Sequence, residues 1–211
     1  MRELNGEQVK AMLLHVADQV IASKDFLTEV DSQIGDGDHG IGMERGMKNA
    51  REKILEMEAV TDIYAPFFEM GRTMLMTMGG ASGVIFGTMF SGGAKGKAAQ
   101  ETLDCPRLAG LMKGSLAKIK ERGQAQPGDK TMVDAMQPAV EAMLAYTESD
   151  LGEMLGQAAA AAKGGMEATR DYQAKFGRAK SLMGRELGHQ DAGATSTWII
   201  FRSMEEYVMS L

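Results

Sequence analysis

Asn5-Gly-Glu-Gln8-Val9-Lys-Ala-Met12-Leu13-Leu-His-Val16-Ala-Asp-Gln-Val20 carries apolar residues at Val9, Met12, Leu13, Val16 and Val20. Steps of three and four place them on one face of an α-helix. Asn5 is a good N-cap and Gln8 follows three residues later, the pairing of a capping box. The same period returns over residues 43–58, 63–78, 84–99, 108–121, 132–146, 151–172 and 195–209. No segment alternates with period two for more than a few residues. The 19 Met residues suit helices that leave irregular gaps to fill. The spacing therefore predicts an all-α bundle.

Glycines punctuate this pattern at the expected helix junctions: Gly35, Gly37, Gly40 and Gly42, then Gly79, Gly80 and Gly83, then Gly123 and Gly128, then Gly184, Gly188 and Gly193. Pro138 falls inside one helical pattern, where it kinks the helix or marks its true start. No 20–50-residue repeat and no linker divides the 211 residues, a length that suits one domain. With 23 basic and 29 acidic residues the net charge is −6. A protein that tracks nucleic-acid phosphates needs the opposite balance, so no nucleic-acid partner is expected. Apolar runs such as 158–162 are far too short to cross a bilayer, so no membrane partner is expected, and Met1-Arg2-Glu3-Leu4 opens no signal peptide. The expected location is the cytoplasm. Cys105 is the only cysteine, which excludes an internal disulfide and a thiolate zinc site.

The densest chemical signal is Asp31-Ser-Gln-Ile-Gly35-Asp36-Gly37-Asp38-His39-Gly40. Three carboxylates this close resist joint ionisation unless a cation compensates, and oxygen ligands suit a hard ion such as Mg²⁺. The other reading is a solvated, Asp-rich turn between helices. Gly35-x-Gly37-x-x-Gly40 matches a dinucleotide fingerprint only formally, since no strand precedes it and its aspartates would repel a bare pyrophosphate. The EF-hand and P-loop patterns also fail. Gly79-Gly80-Ala81-Ser82-Gly83 precedes an apolar helical stretch and reads either as a tight connection or as an anion-binding helix start, with backbone N–H groups and the Ser82 hydroxyl as donors. A third constellation joins Gly177-Arg178-Ala179 to Gly188-His189-Gln190-Asp191-Ala192-Gly193-Ala194-Thr195-Ser196. A connection this long reads as a functional lid. Alternatively, Asp191 or Thr195 caps the last helix and Arg178 is a solvated charge.

Taken together with Pro127-Gly-Asp-Lys-Thr-Met132, these motifs resemble, in order and spacing across nearly the whole chain, the L subunits of dihydroxyacetone kinases. The length resembles the multisubunit bacterial form in which K and L are separate chains. The resemblance implies an eight-helix antiparallel barrel with a nucleotide, ADP or ATP, at one end. Two Mg²⁺ ions would join its phosphates to Asp31, Asp36 and Asp38. Carried over position by position, His39, Gly40, Ile41, Ala81, Ser82, Gly123, Met132, Arg178, Asp191 and Gly193 would line the nucleotide site. Two positions on the same wall depart from the family pattern. Gly42 stands where Asn is common, and Ala192 stands where Asp-Pro-Gly is usual. In the phosphotransferase-dependent members ADP is a bound coenzyme, the K subunit holds the triose, and a multiphosphoryl donor subunit recharges the ADP.

Phosphoryl transfer needs charge neutralisation and alignment more than a protein nucleophile, so no nucleophile is assigned and the chain alone should lack turnover. Two rivals share the scaffold: a nucleotide-sensing module without transfer, and a kinase subunit for a related ketose such as a tetrulose.

Overall fold

The capping box at Asn5 forms as its sequence predicts. The Asn5 side chain accepts the Gln8 N–H at 2.9 Å and the Gln8 side chain accepts the Asn5 N–H at 3.0 Å. In the computed structural model, which describes residues 1–211, this cap starts α1 (Gly6–Ala22). There follow α2 (Lys24–Ser32), α3 (His39–Leu55), α4 (Tyr64–Thr77), α5 (Gly80–Ser91), α6 (Cys105–Gly123), α7 (Val133–Ala145), α8 (Leu151–Ala168) and α9 (Ala192–Met209). Aspartates cap three of these: Asp104 on α6, with Pro106 in the first turn, Asp150 on α8 and Asp191 on α9. Pro138 lies inside α7 rather than at its start.

From α3 to α9 each helix packs on the next, and α9 returns to α1, which packs on α3. Eight helices thus close a ring, and pairing of chain neighbours is the order of an antiparallel bundle. Its interior is one cluster of 51 buried apolar residues, among them Met12, Met43, Met47, Met70, Phe67, Phe90 and Phe201. No helix is long and apolar enough to cross a membrane.

Two features go beyond the periodicity reading. The short helix α2 lies outside the ring, packed mainly on α3 and also against α9 and α1. It buries only Leu27 and Val30, so nine residues carry too few apolar positions to display a period. A ribbon of β1 (Glu3–Asn5) and β2 (Thr102–Asp104) pairs antiparallel with Leu4 opposite Leu103. It ties the start of α1 to the start of α6. Strands of three residues are below the length at which alternation is readable. Helix ends also shift: α3 starts at His39 rather than Met43, α5 runs over Gly80–Ser91 rather than 84–99, and α9 starts at Ala192 rather than Thr195.

Candidate functional site

Asp31 sits in the last turn of α2, Asp36 and Asp38 in the connection that follows, and His39 opens α3. This turn brings one oxygen from each of the three carboxylates within 4.8 Å of the others. Gly35 makes this possible, because a Cβ there would lie 2.4 Å from Asp31 Oδ1. Gly37 holds φ at +75°, a left-handed angle that disfavours side chains. The His39 backbone N–H donates to Asp31 Oδ2 at 3.2 Å, and the Arg178 guanidinium meets Asp36 Oδ2 at 2.7 Å. One N–H and one exposed arginine compensate three carboxylates poorly. The oxygen-only donor set therefore fits a hard divalent cation.

The carboxylates stand at the edge of a cleft of roughly 820 Å³, within the ~300–1,000 Å³ of small-molecule sites. Of the residues expected at the site, Asp31, Asp36, Asp38, His39, Ile41, Gly42, Ala81, Ser82, Gly123, Met132, Arg178, Asp191, Ala192 and Gly193 all line this cleft. Gly40 does not. A Cβ at Gly40 would lie 2.3 Å from the Lys24 carbonyl oxygen and from Thr28 Oγ1, so this glycine lets α3 lie against α2 and thereby sets the aspartate turn. At Gly42 the nearest atom to an added Cβ is Met78 Cε at 4.0 Å, so a side chain has room there.

Apolar residues also line the cleft: Val84, Ile85, Phe86, Ile119 and Val133 join Met132. Sequence reasoning did not single out Ile85, Phe86 or Ile119, whose spacing is that of ordinary core positions. Gly79 offers no side-chain cap to α5, so the first-turn N–H groups beside Ala81 and Ser82 remain available to an acceptor. The imidazole of His39 is buried against Phe86, with ring centroids 5.8 Å apart, and its Nε2 lies 2.8 Å from Ser196 Oγ on α9. Burial holds this imidazole below its ordinary pKa, against the pull of Asp31 and Asp38.

Asp191 both caps α9 and lines the cleft. Its Oδ2 accepts the Ala194 N–H at 2.7 Å, and its own N–H donates to Thr169 Oγ1 at 2.9 Å. Burial pushes its carboxyl up to about 7, helped by Asp134 and Asp31 and opposed by the Ala194 N–H and Lys130. Lys130, which the motif reading quoted without a role, is buried with φ at +60°. Its ammonium donates to the carbonyls of Thr169 and His189, which ties the loop before α7 to the segment before α9. Asp134 accepts the Thr131 N–H at 2.7 Å and the Gly128 N–H at 2.5 Å in the same loop.

Residues 172–190 reach the cleft through Phe176, Gly177, Arg178 and Ala179. They hold left-handed angles at Gly177, Met183, Gly184 and Gly188 and only a short 3₁₀ turn at Ala179–Leu182. The buried carboxylate of Glu186 gathers the segment by accepting the N–H groups of Gly184 at 2.7 Å and Ala174 at 3.3 Å.

A family model described as the DAK2 domain matches residues 33–206. The chain is 35% identical over 203 residues to the ADP-binding subunit DhaL of the PEP-dependent dihydroxyacetone kinase of Escherichia coli (strain K12), covering 95% of this chain and 96% of that one. It is 33% identical over 205 residues to the L-erythrulose kinase of Pectobacterium atrosepticum, covering 96% of this chain and 35% of that protein. Among solved structures, the dihydroxyacetone kinase from C. freundii in complex with AMP-PNP and Mg²⁺ superposes with a TM-score of 0.74 at 24% identity. That match covers 98% of this chain and 35% of that one, and it supports the fold.

Proposed function

The chain belongs to the DAK2 domain family, and from that premise we propose that it is the nucleotide-binding subunit of a dihydroxyacetone kinase. The observation that carries this reading is the convergence of Asp31, Asp36 and Asp38 within 4.8 Å on a cleft that Ile85, Phe86, Ile119 and Met132 also line. A nucleoside diphosphate has the same polarity, with a charged phosphate end and a flat base.

Asp31, Asp36 and Asp38 would hold the Mg²⁺ pair. Bound magnesium supplies charge neutralisation and alignment at the transferring phosphoryl group. The first-turn N–H groups of α5 and the Ser82 hydroxyl donate to phosphate oxygens, while Ile85, Phe86, Ile119 and Met132 enclose the base. Arg178 lies close enough to the carboxylates to add a mobile cation at the phosphate end. No side chain of the cleft is placed as a covalent nucleophile, in keeping with phosphoryl transfer by positioning and charge.

The acceptor hydroxyl is that of a ketose held by a separate K subunit, and a multiphosphoryl donor subunit of the phosphotransferase system recharges the ADP in place, in the cytoplasm. The full-length likeness to a PEP-dependent ADP-binding subunit supports this arrangement. Likeness to an L-erythrulose kinase favours a second reading: the same carrier role with another ketose as acceptor. Acceptor choice then lies outside this chain.

The test is to purify the chain, extract its bound nucleotide and identify it. ADP retained through purification and lost on chelation of Mg²⁺ is expected. An empty protein that binds neither ADP nor ATP in Mg²⁺ contradicts the proposal.

A further inference from the structure

Lys130 stands apart among the buried side chains. Its ammonium is sunk in the protein, and burying a cation is costly unless it finds partners. The partners it has are backbone carbonyls, that of Thr169 and, at 2.6 Å, that of His189. Burial pulls its pKa down, against the pull of Asp191, Glu186, Asp134 and Asp171. Its backbone is held at φ +60°, an angle that costs free energy in any residue but glycine and persists only where the surroundings enforce it. A strained, desolvated cation points to a task beyond packing.

The two carbonyls stand at the two ends of one excursion of the chain. Thr169 follows the end of α8, and His189 precedes Asp191, the cap of α9. Between them the chain passes the cleft through Phe176, Gly177, Arg178 and Ala179. The ends also meet directly: the Gly188 N–H donates to the Arg170 carbonyl at 2.8 Å, and the Asp191 N–H to Thr169 Oγ1 at 2.9 Å. Lys130 reaches this neck from outside, from the loop before α7, whose next residues, Thr131, Met132 and Val133, line the cleft. Its neighbour Asp129 adds a third hold, accepting the Lys175 N–H on its carbonyl at 3.2 Å and the Lys175 ammonium on Oδ1 at 2.6 Å. From Phe176 to Leu187 the polar tie to the rest of the protein is the Arg178–Asp36 pair. The excursion is held at its base and loose at its tip.

We propose that Lys130 is a positioning residue that sets how long the nucleotide stays bound, by clasping both ends of the 170–190 segment to the cleft wall without touching the ligand. With its base fixed, the segment opens at the tip, where few buried contacts resist it, and recloses on the same register. Without the clasp the two carbonyls lose a buried donor, and the whole segment is free to part from α9. The inference rests on the magnesium–nucleotide reading above and adds to it the residue that governs retention.

Lys130→Met keeps an unbranched side chain of similar length and removes the donor. Labelled ADP in Mg²⁺ should leave this variant about tenfold faster, the scale of hydrogen bonds lost in a buried site. Hydrogen exchange of the ligand-free variant should quicken over residues 170–190 and stay unchanged in α1 and α4, whereas a merely structural role would quicken it around the whole ring. Lys130 and Arg178 act on one segment, so Lys130→Met combined with Arg178→Ala should release ADP within about twofold of the faster single variant. Lys130→Gln, shorter but still a donor, should fall between wild type and Lys130→Met, and it carries the test if Lys130→Met does not fold.

An off-rate and a 170–190 exchange pattern unchanged from wild type would overturn the clasp while the nucleotide reading stands. So would off-rates that multiply in the double variant, the result expected if the ammonium met the nucleotide itself. A wild-type protein that does not bind Mg·ADP in calorimetry would overturn both.

Discussion

On one side of the site, His39 and Ser196 are buried and Asp191 half-buried, and each is fixed by a hydrogen bond to a neighbouring helix or to the backbone. On the other, Arg178 projects from the 172–190 segment with its side chain 71% exposed and Asp36 as its recorded partner, and Met183 stands 93% exposed on a left-handed backbone. The first side has the rigidity that metal and phosphate positioning requires, where errors of about half an ångström matter. The second has few buried contacts to lose on opening, which is the property of segments that admit and release ligands. Each variant below either breaks this contrast or sharpens it.

The largest effect belongs to the carboxylates. Asp36→Ala should weaken Mg²⁺-dependent ADP binding by roughly 100-fold or more, since even residues that only support metal ligands cost 10–100-fold when removed. Circular dichroism should be unchanged, because Asp36 lies on a turn and not in the core. Calorimetry that returned wild-type affinity would remove Asp36 from the site.

Gly40→Ala comes next. Its methyl would press on the backbone of α2, and overpacking of this kind costs about 1–3 kcal/mol. Thermal unfolding should show a lower Tm, and an unchanged Tm would mean that α2 and α3 are not in close contact. Asp191→Asn tests the electrostatic cost of the rigid side. Its carboxyl, raised from 3.8 to about 7, keeps in the folded state a proton that the unfolded chain has released. Stability therefore falls as pH rises from the ordinary carboxylate range through about 7. Asparagine keeps an acceptor for the Ala194 N–H and has no such cost. In chelator, Asp191→Asn should match wild type near pH 4 and exceed it at pH 8, by on the order of 1–2 kcal/mol. A Tm gap that narrowed with rising pH would contradict this.

Gly42→Ala, two residues from Gly40 on the same helix, should act in the opposite direction. Its Cβ meets open space, so relief of backbone freedom should raise stability by up to about 1 kcal/mol. A destabilised Gly42→Ala would show that this turn needs glycine for another reason. The smallest stability change is expected for Arg178→Ala, under about 1 kcal/mol for an exposed ion pair, although labelled ADP should leave the variant faster. An unchanged off-rate would leave the 172–190 segment without a part in retention.

The ring of helices was legible because Val9 through Val20 and their counterparts repeat a period that only one geometry satisfies. The fine placement of the site was not. α2 carries Asp31, yet with only Leu27 and Val30 buried it shows no periodicity. Its close packing against α3 depends on Gly40, whose reason is a contact with Lys24 and Thr28 that no local pattern encodes. The motif residues fell on the cleft because they carry chemistry in their types: carboxylates, glycines and an arginine. Ile85 and Ile119 do not differ in type or spacing from core residues, and only the three-dimensional arrangement turns them towards the cleft. The role of Lys130 was equally hidden, because its two acceptors, Thr169 and His189, lie in a different part of the chain.

The central claim is that Asp31, Asp36 and Asp38 hold the metal that carries a nucleotide's phosphates. Crystals of the chain grown with ADP and Mn²⁺ in place of Mg²⁺ test it most directly, through the anomalous signal of the manganese. The account predicts anomalous peaks bonded to all three carboxylates and to phosphate oxygens, with the base against Ile85 and Ile119. ADP bound in the cleft without a metal at these aspartates, or manganese bound elsewhere, would contradict it.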